Sequence, residues 1–361
     1  MIIYIDKTIG AHGEKHGFTE DEKLLFSDLV VAHQRGYCLL CGELQSIECL
    51  SKNLEGIHRH LFRKIRNTHY EMRAIMTAVE TIIVLSYGAS PQVPSFIAGK
   101  CRLINISQAI NLHINSQCAL VCENLDDCHF YELIAKWYVC TQKLKGLKIS
   151  FHHELGGGDT LNTVFQKCVE ADKTPTLCLV DGDIKHGSTI KFPNSPVQGE
   201  TAKKVTSTYN ALKAKTTSCM FDLYCLPIHE AENLIPLSVL DTIANTSVPD
   251  MKEGVAFLRK LSSADLTNAI LYYDFKHGCD KIKSDPASTY WIEVAEVIGE
   301  VNFPCLCGKV LKKAMEVMQA KFDSQHDLEE SISIDAYLTH FWREIGLKVF
   351  SWGCAHRPVR V

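Results

Sequence analysis

Apolar and polar positions alternate in two different ways along this chain. In the middle, short apolar runs are separated by longer stretches with helical spacing. The runs are Cys118–Cys122, Leu147–Phe151, Thr176–Val180 and Met220–Leu226. Between them, Asp127–Lys143, Thr160–Ala171 and about Glu200–Ala214 carry the periodicity of helices. Strand, helix, strand, helix in this order predicts βαβ units and a largely parallel sheet with flanking helices over residues 116–245. Outside that block the pattern is helical. Residues 1–115 read as a mainly helical N-terminal region, with a helix over 69–87 and a Pro/Gly-punctuated loop over 88–95. Residues 246–361 read as a mainly helical C-terminal region, clearest over 308–324 and 337–350. The fold class is therefore α/β, in three regions, with no internal repeat and no low-complexity tract.

Composition narrows the picture modestly. With 361 residues, 46% hydrophobic and 22% charged, the chain can bury a large core. A net charge of −4 excludes a globally basic nucleic-acid coat, so any nucleic-acid contact must come from local patches. No apolar run reaches the ~20 residues that would cross a bilayer, and Met1–Lys7 does not have the form of a signal peptide. The 16 cysteines lie scattered, often in apolar runs, which points to buried free thiols in a reducing compartment such as the cytoplasm.

The candidate chemistry sits where a parallel sheet places ligands, beyond the carboxyl ends of the strands. Glu123 follows the first apolar run of the middle block, with Asp127 four residues on, at the start of a helix. The two can share a face there, or Asp127 can serve as an ordinary first-turn acid. Gly156–Gly158 lie between a strand and a helix and permit a tight turn, but no Gly-Lys-Ser or Gly-Lys-Thr follows, so this is not a Walker loop. Asp181-Gly182-Asp183 comes straight off the most apolar strand. Two carboxylates there repel one another and favour a hard divalent cation. Glu230 and Glu232 follow the fourth run and either complete such a site or start a helix.

The order Glu123–Asp127, Gly156–Gly158, Asp181–Asp183 and then Glu230-Ala231-Glu232-Asn233 resembles the TOPRIM fold. More narrowly, it is similar to the TOPRIM-like nucleases of bacterial anti-phage systems, including the overcoming-lysogenization-defect type. The resemblance covers about a third of the chain, and Asn124 stands where many TOPRIM domains carry glycine. It implies a Mg²⁺- or Mn²⁺-dependent endonuclease acting on DNA or RNA, with Glu123, Asp127, Asp181 and Asp183 as metal ligands. It also implies an antiviral role, held in check by a separate ATPase or sensor protein. Lys185 is the expected phosphate-facing cation, with His186, Lys203 and Lys204 as further candidates and His152 and His153 near the glycine turn. Other readings stay open: a nicking, joining or priming enzyme, a phosphatase on a flavodoxin-like sheet, or a non-enzymatic metal- or protein-binding scaffold. Oligomerisation is also open.

Two weaker signals remain. Cys38 and Cys41 have C-x-x-C spacing with His58 and His60 downstream, a candidate structural Zn²⁺ site, and Cys305 and Cys307 form a C-x-C pair. Arg59, Arg63, Lys64, Arg66 and Arg73 concentrate positive charge in one stretch of the N-terminal region, a candidate substrate or partner contact.

Overall fold

A computed structural model describes all residues except 69–70, 89, 92, 99, 188–197, 217–219, 247, 279–286, 301–302, 307–308, 325–331 and 358–361. Ten strands are described: β1 Ile2–Ile5, β2 Leu39–Gly42, β3 Ile82–Ser86, β4 Cys101–Asn105, β5 Cys118–Cys122, β6 Leu147–Ile149, β7 Phe151–Leu155, β8 Thr176–Val180, β9 Phe221–Cys225 and β10 Cys354–His356. They form two four-stranded sheets, β2-β1-β3-β4 and β7-β5-β8-β9, and a two-stranded pair, β10-β6. Both larger sheets are parallel throughout, and the small pair is antiparallel.

The central sheet is the one expected for residues 116–245. β5 and β8 are buried at every position, as strands covered by helices on both faces must be. The N-terminal region corrects the expectation of a mainly helical stretch, because it holds a parallel sheet of its own. Within 69–87 the helix covers only Met72–Thr77, and the β-branched run Ile82–Ser86 becomes the fully buried strand β3. Branching at Cβ restricts χ1 in a helix and suits a packed sheet. Likewise 147–151 divides into β6 and the start of β7. The C-terminal region is mainly helical, as expected, with β10 near its end.

Counting each sheet's own strands, both have the order second, first, third, fourth. In the central sheet the chain steps from β5 to β7 on one side and then to β8 on the other. The strand order therefore reverses between β5 and β8, the position where α/β sheets open a ligand crevice.

One hydrophobic core runs through all three regions, from Met1 to Cys354. The edge strands β4 and β9 meet through Arg102, which donates to the Phe221 carbonyl at 2.8 Å and to Asp222 at 2.7 Å and stacks on Trp352. Lys348 joins the network through Asp222 at 3.3 Å and Glu80 at 2.7 Å. Removing one partner of a largely buried ion pair leaves the other desolvated. Arg102→Ala should therefore cost about 2–3 kcal/mol, the low side of that range because Lys348 remains on Asp222. A urea unfolding midpoint unchanged from wild type would refute the seam's importance.

The helix Thr339–Gly353 lies along the helix Leu125–Thr141, with Gly346 against Tyr138 and Trp342 edge-on to Phe130 and Trp137. Trp342 Nε1 also donates to the Leu234 carbonyl at 2.8 Å, which ties the C-terminal region to the turn after β9. The described part of the chain's end thus packs on the body, with Trp352, Cys354 and Ala355 buried. All described cysteines are free thiols. No described helix is long and apolar enough to cross a membrane.

Candidate active site

Three loops at the carboxyl ends of β5, β8 and β9 build the site. After β5, Asn124 caps the helix Leu125–Thr141. Its side chain accepts from the Asp127 amide, while Asp127 accepts from the Asn124 amide, both at 3.1 Å. The capping role foreseen for Asp127 is therefore real, and it fixes one carboxylate oxygen toward the strand end. The glycine turn clasps the same strand end. The Gly156 amide donates to the Cys122 carbonyl and the Gly157 amide to the Glu123 carbonyl, each at 3.0 Å. Gly157 has φ +44°, and a side chain at Gly156 would run into Leu161.

After β8, Gly182 is wedged against the carbonyls of Leu226 and Ile228, where no side chain fits. The Asp183 amide donates to the His229 carbonyl at 2.8 Å, and the Gly182 carbonyl accepts from the Gly199 amide at 2.8 Å. Asp183 adopts φ +49°, an uncommon left-handed conformation for a residue other than glycine. Its side chain rests against Gly199, the cap of the helix Glu200–Lys215, where the helix dipole favours negative charge.

After β9, Ala231–Leu234 form a 3-10 turn. The Ala231 amide donates to Asp181 Oδ1 at 3.1 Å, and the Tyr131 hydroxyl approaches the same oxygen at 3.4 Å. Asn233 ties the turn down. Its Oδ1 accepts from the Glu230 amide at 2.9 Å, and its Nδ2 donates to the carbonyls of Ile270 and Tyr273. Lys276 then reaches in, 2.8 Å from Glu230 and 3.2 Å from Glu232.

The electrostatics follow from this crowding. Burial, with repulsion from Asp127, Glu232, Glu123 and Glu230, pushes the Asp181 carboxyl well above the usual carboxylate range. Burial and Glu232 push Asp127 up to about 7. Glu123 is raised by burial and by Asp183. Burial raises Glu230 too, and Glu232 adds to the shift while Lys276 opposes it. Burial alone would lower Lys276, but Glu232 and Glu230 outweigh it and hold the ammonium charged.

The structure thus gathers Glu123, Asp127, Asp181, Asp183, Glu230 and Glu232 at one end of one sheet. It does not draw the four expected ligands Glu123, Asp127, Asp181 and Asp183 around a single point. Among the described residues, the group whose ligand atoms all lie within 4.8 Å of one another is His229, Glu230 and Asp274. Lys185, the expected cation, is exposed and its carbonyl accepts from Trp291 Nε1, while the lysine paired with the carboxylates is Lys276. His186 is buried with its ring on the Gly187 carbonyl, and Lys203 and Lys204 pair at the surface with Glu200 and Asp159. His152 and His153 pair with Glu154 and Glu132. Sequence reasoning missed Lys276, His229 and Asp274. His229 adjoins a singled-out acid, but nothing in the pattern around 274–277 marks that turn.

The Zn²⁺ expectation at Cys38 and Cys41 is not met among the described residues. Both flank or lie in β2, buried in the core, where desolvation pushes the Cys38 thiol up to about 12, and no third ligand joins them. Cys307 lies outside the described residues. Arg59, Arg63, Lys64 and Arg66 lie on a solvated face of the helix Gly56–Asn67, whose Leu61, Phe62 and Ile65 are buried, while Arg73 lies in the helix Met72–Thr77 and stacks on Phe96. Arg59 is bonded to the Leu54 carbonyl and Arg66 to Glu48.

Comparison of the chain with protein-family models, with curated proteins and with solved structures finds no match.

Proposed function

We propose that this protein is a divalent-metal-dependent nuclease that hydrolyses phosphodiester bonds in DNA or RNA. The observation that carries the reading is the convergence of six carboxyl groups at the strand-order reversal of a parallel sheet, with Lys276 among them. Acids that oppose one another's ionisation this strongly call for a cation. The donor set suits a hard ion, being all oxygen. The ligands of Mg²⁺ or Mn²⁺ would be drawn from Glu123, Asp127, Asp181 and Asp183, which line the site without meeting at one point, with Glu230 and Glu232 behind them. Bound there, the ion would polarise the phosphate and lower the pKa of its water.

The chain's own residues do the rest. The Ala231 amide and the Tyr131 hydroxyl orient Asp181, the cap at Asn124 orients Asp127, and the helix start at Gly199 steadies Asp183. Lys276 supplies a positive charge for an incoming phosphate. The resemblance to TOPRIM-like nucleases supports the same reading and an antiviral effector role released by a separate ATPase or sensor.

Purified protein incubated with plasmid DNA, single-stranded DNA and total tRNA should cut at least one of them with Mg²⁺ or Mn²⁺, and cutting should stop with EDTA. No cutting of any substrate, together with Mn²⁺ binding by calorimetry that is absent or unchanged in the folded double variant Asp181→Asn, Asp183→Asn, would overturn the proposal.

A further inference from the structure

Beside the carboxylate cluster, three residues from two loops form a tighter group. His229 and Glu230 close the segment after β9, and Asp274 comes from the turn that also carries Lys276. His229 Nε2 stands 3.9 Å from Asp274 Oδ2. That is too long for a hydrogen bond, but two ligand atoms each ~2.1 Å from a common ion stand ~3–4 Å apart. One ligand atom of the group is orphaned: Glu230 Oε1 is buried without a hydrogen-bond partner, in a residue only 6% exposed. An unpaired buried carboxylate oxygen is costly and is rarely left so without a use.

The third residue is held ready. Asp274 accepts from the amides of Lys276 and His277 at 2.9 and 2.8 Å, and the His277 ring lies 3.1 Å from it. Such outer contacts fix a ligand's orientation before an ion arrives. Lys276 does not occupy the position, because it bonds Glu230 through Oε2 and leaves Oε1 open.

We propose that His229, Glu230 and Asp274 form a separate metal centre, selective for a transition ion such as Zn²⁺ or Mn²⁺ over Mg²⁺. An imidazole ligand sets the preference, since Mg²⁺ favours oxygen donors and its own waters. Geometry puts this centre next to the cluster read above as nucleolytic, but its assignment does not depend on that reading.

The test is optical and does not use cleavage. Metal-stripped protein is titrated with Co²⁺, whose visible absorption reports its coordination. The expected result is one Co²⁺ per chain with visible bands that Zn²⁺ abolishes and excess Mg²⁺ does not. Asp274→Asn and His229→Gln should each weaken binding about tenfold or more. The double variant Asp181→Asn, Asp183→Asn should keep the bands, which separates this centre from the carboxylate cluster. No bands at stoichiometric Co²⁺, bands unchanged in both single variants, or a near-ultraviolet thiolate band in their place would overturn the assignment. Circular dichroism checks folding, and if His229→Gln fails to fold, the partly exposed Asp274 decides the matter.

Discussion

Asp181→Asn should lower cutting about a thousandfold or more while making the metal-free protein more stable. The two effects share one cause. Asp181 is crowded by Asp127, Glu232, Glu123 and Glu230, and its carboxyl is held well above the ordinary range. Asparagine keeps the oxygen that accepts from the Ala231 amide and removes the charge the neighbours oppose. The gain should be about 1–2 kcal/mol in urea unfolding with EDTA present, the size usual for relieving strain at a functional site. A folded variant that still cuts within about tenfold of wild type would remove Asp181 from the metal site. Loss of both activity and stability would make it a structural residue instead.

The second large effect is on pH dependence. Asp127 titrates at about 7 in the folded protein, against about 3.9 in an unfolded chain. Between those values the native state holds a proton that the unfolded state has lost, so rising pH favours unfolding. The contribution of Asp127 is fully present below about pH 4 and is lost as the pH rises through about 7. It amounts to at most about 4 kcal/mol at about 1.4 kcal/mol per pH unit. His33 works the other way. Burial keeps its imidazole neutral down to about 3, so its contribution grows with pH over roughly 3 to 6.5. Asp274 is shifted below the ordinary carboxylate range and Lys276 above the ordinary lysine range, so neither titrates in between. Glu123, Asp181 and Glu230 are raised as well, so comparing metal-free wild type with Asp127→Asn, which can still accept from the Asn124 amide, reads Asp127 together with the repulsion it exerts on Asp181. The stability difference should move in favour of the variant from pH 4 to pH 8, and Mn²⁺ should restore wild type most at pH 8. A difference that is flat with pH would show that Asp127 ionises freely.

Much of this was legible before the structure. The central strands are short apolar runs because helices cover both faces of a parallel sheet, and an acid directly after such a run has few places to be except the ligand edge. That reasoning found Glu123, Asp181 and Asp183. It could not find Lys276, because the turn that delivers it is placed by Asn233 and by the His229 amide on the Leu271 carbonyl, contacts that join distant stretches of sequence. The N-terminal sheet was hidden for a different reason. Met72–Thr77 is helical and Ile82–Ser86 extended within one apolar stretch, and no glycine or proline separates them. Cys38 and Cys41 are buried in the core, and their spacing alone does not distinguish two core positions from two ligands.

The hydrogen bond from Trp342 to Leu234 bears on how this chain can be divided. The sequence pattern invites a boundary near residue 245, after the last strand of the central sheet. A gene cut there would express every carboxylate of the site but neither Lys276 nor the indole that holds the turn bearing Glu232. The central sheet is thus not a portable cassette, and moving it into another chain would have to carry the turn of Lys276 and the last helix along.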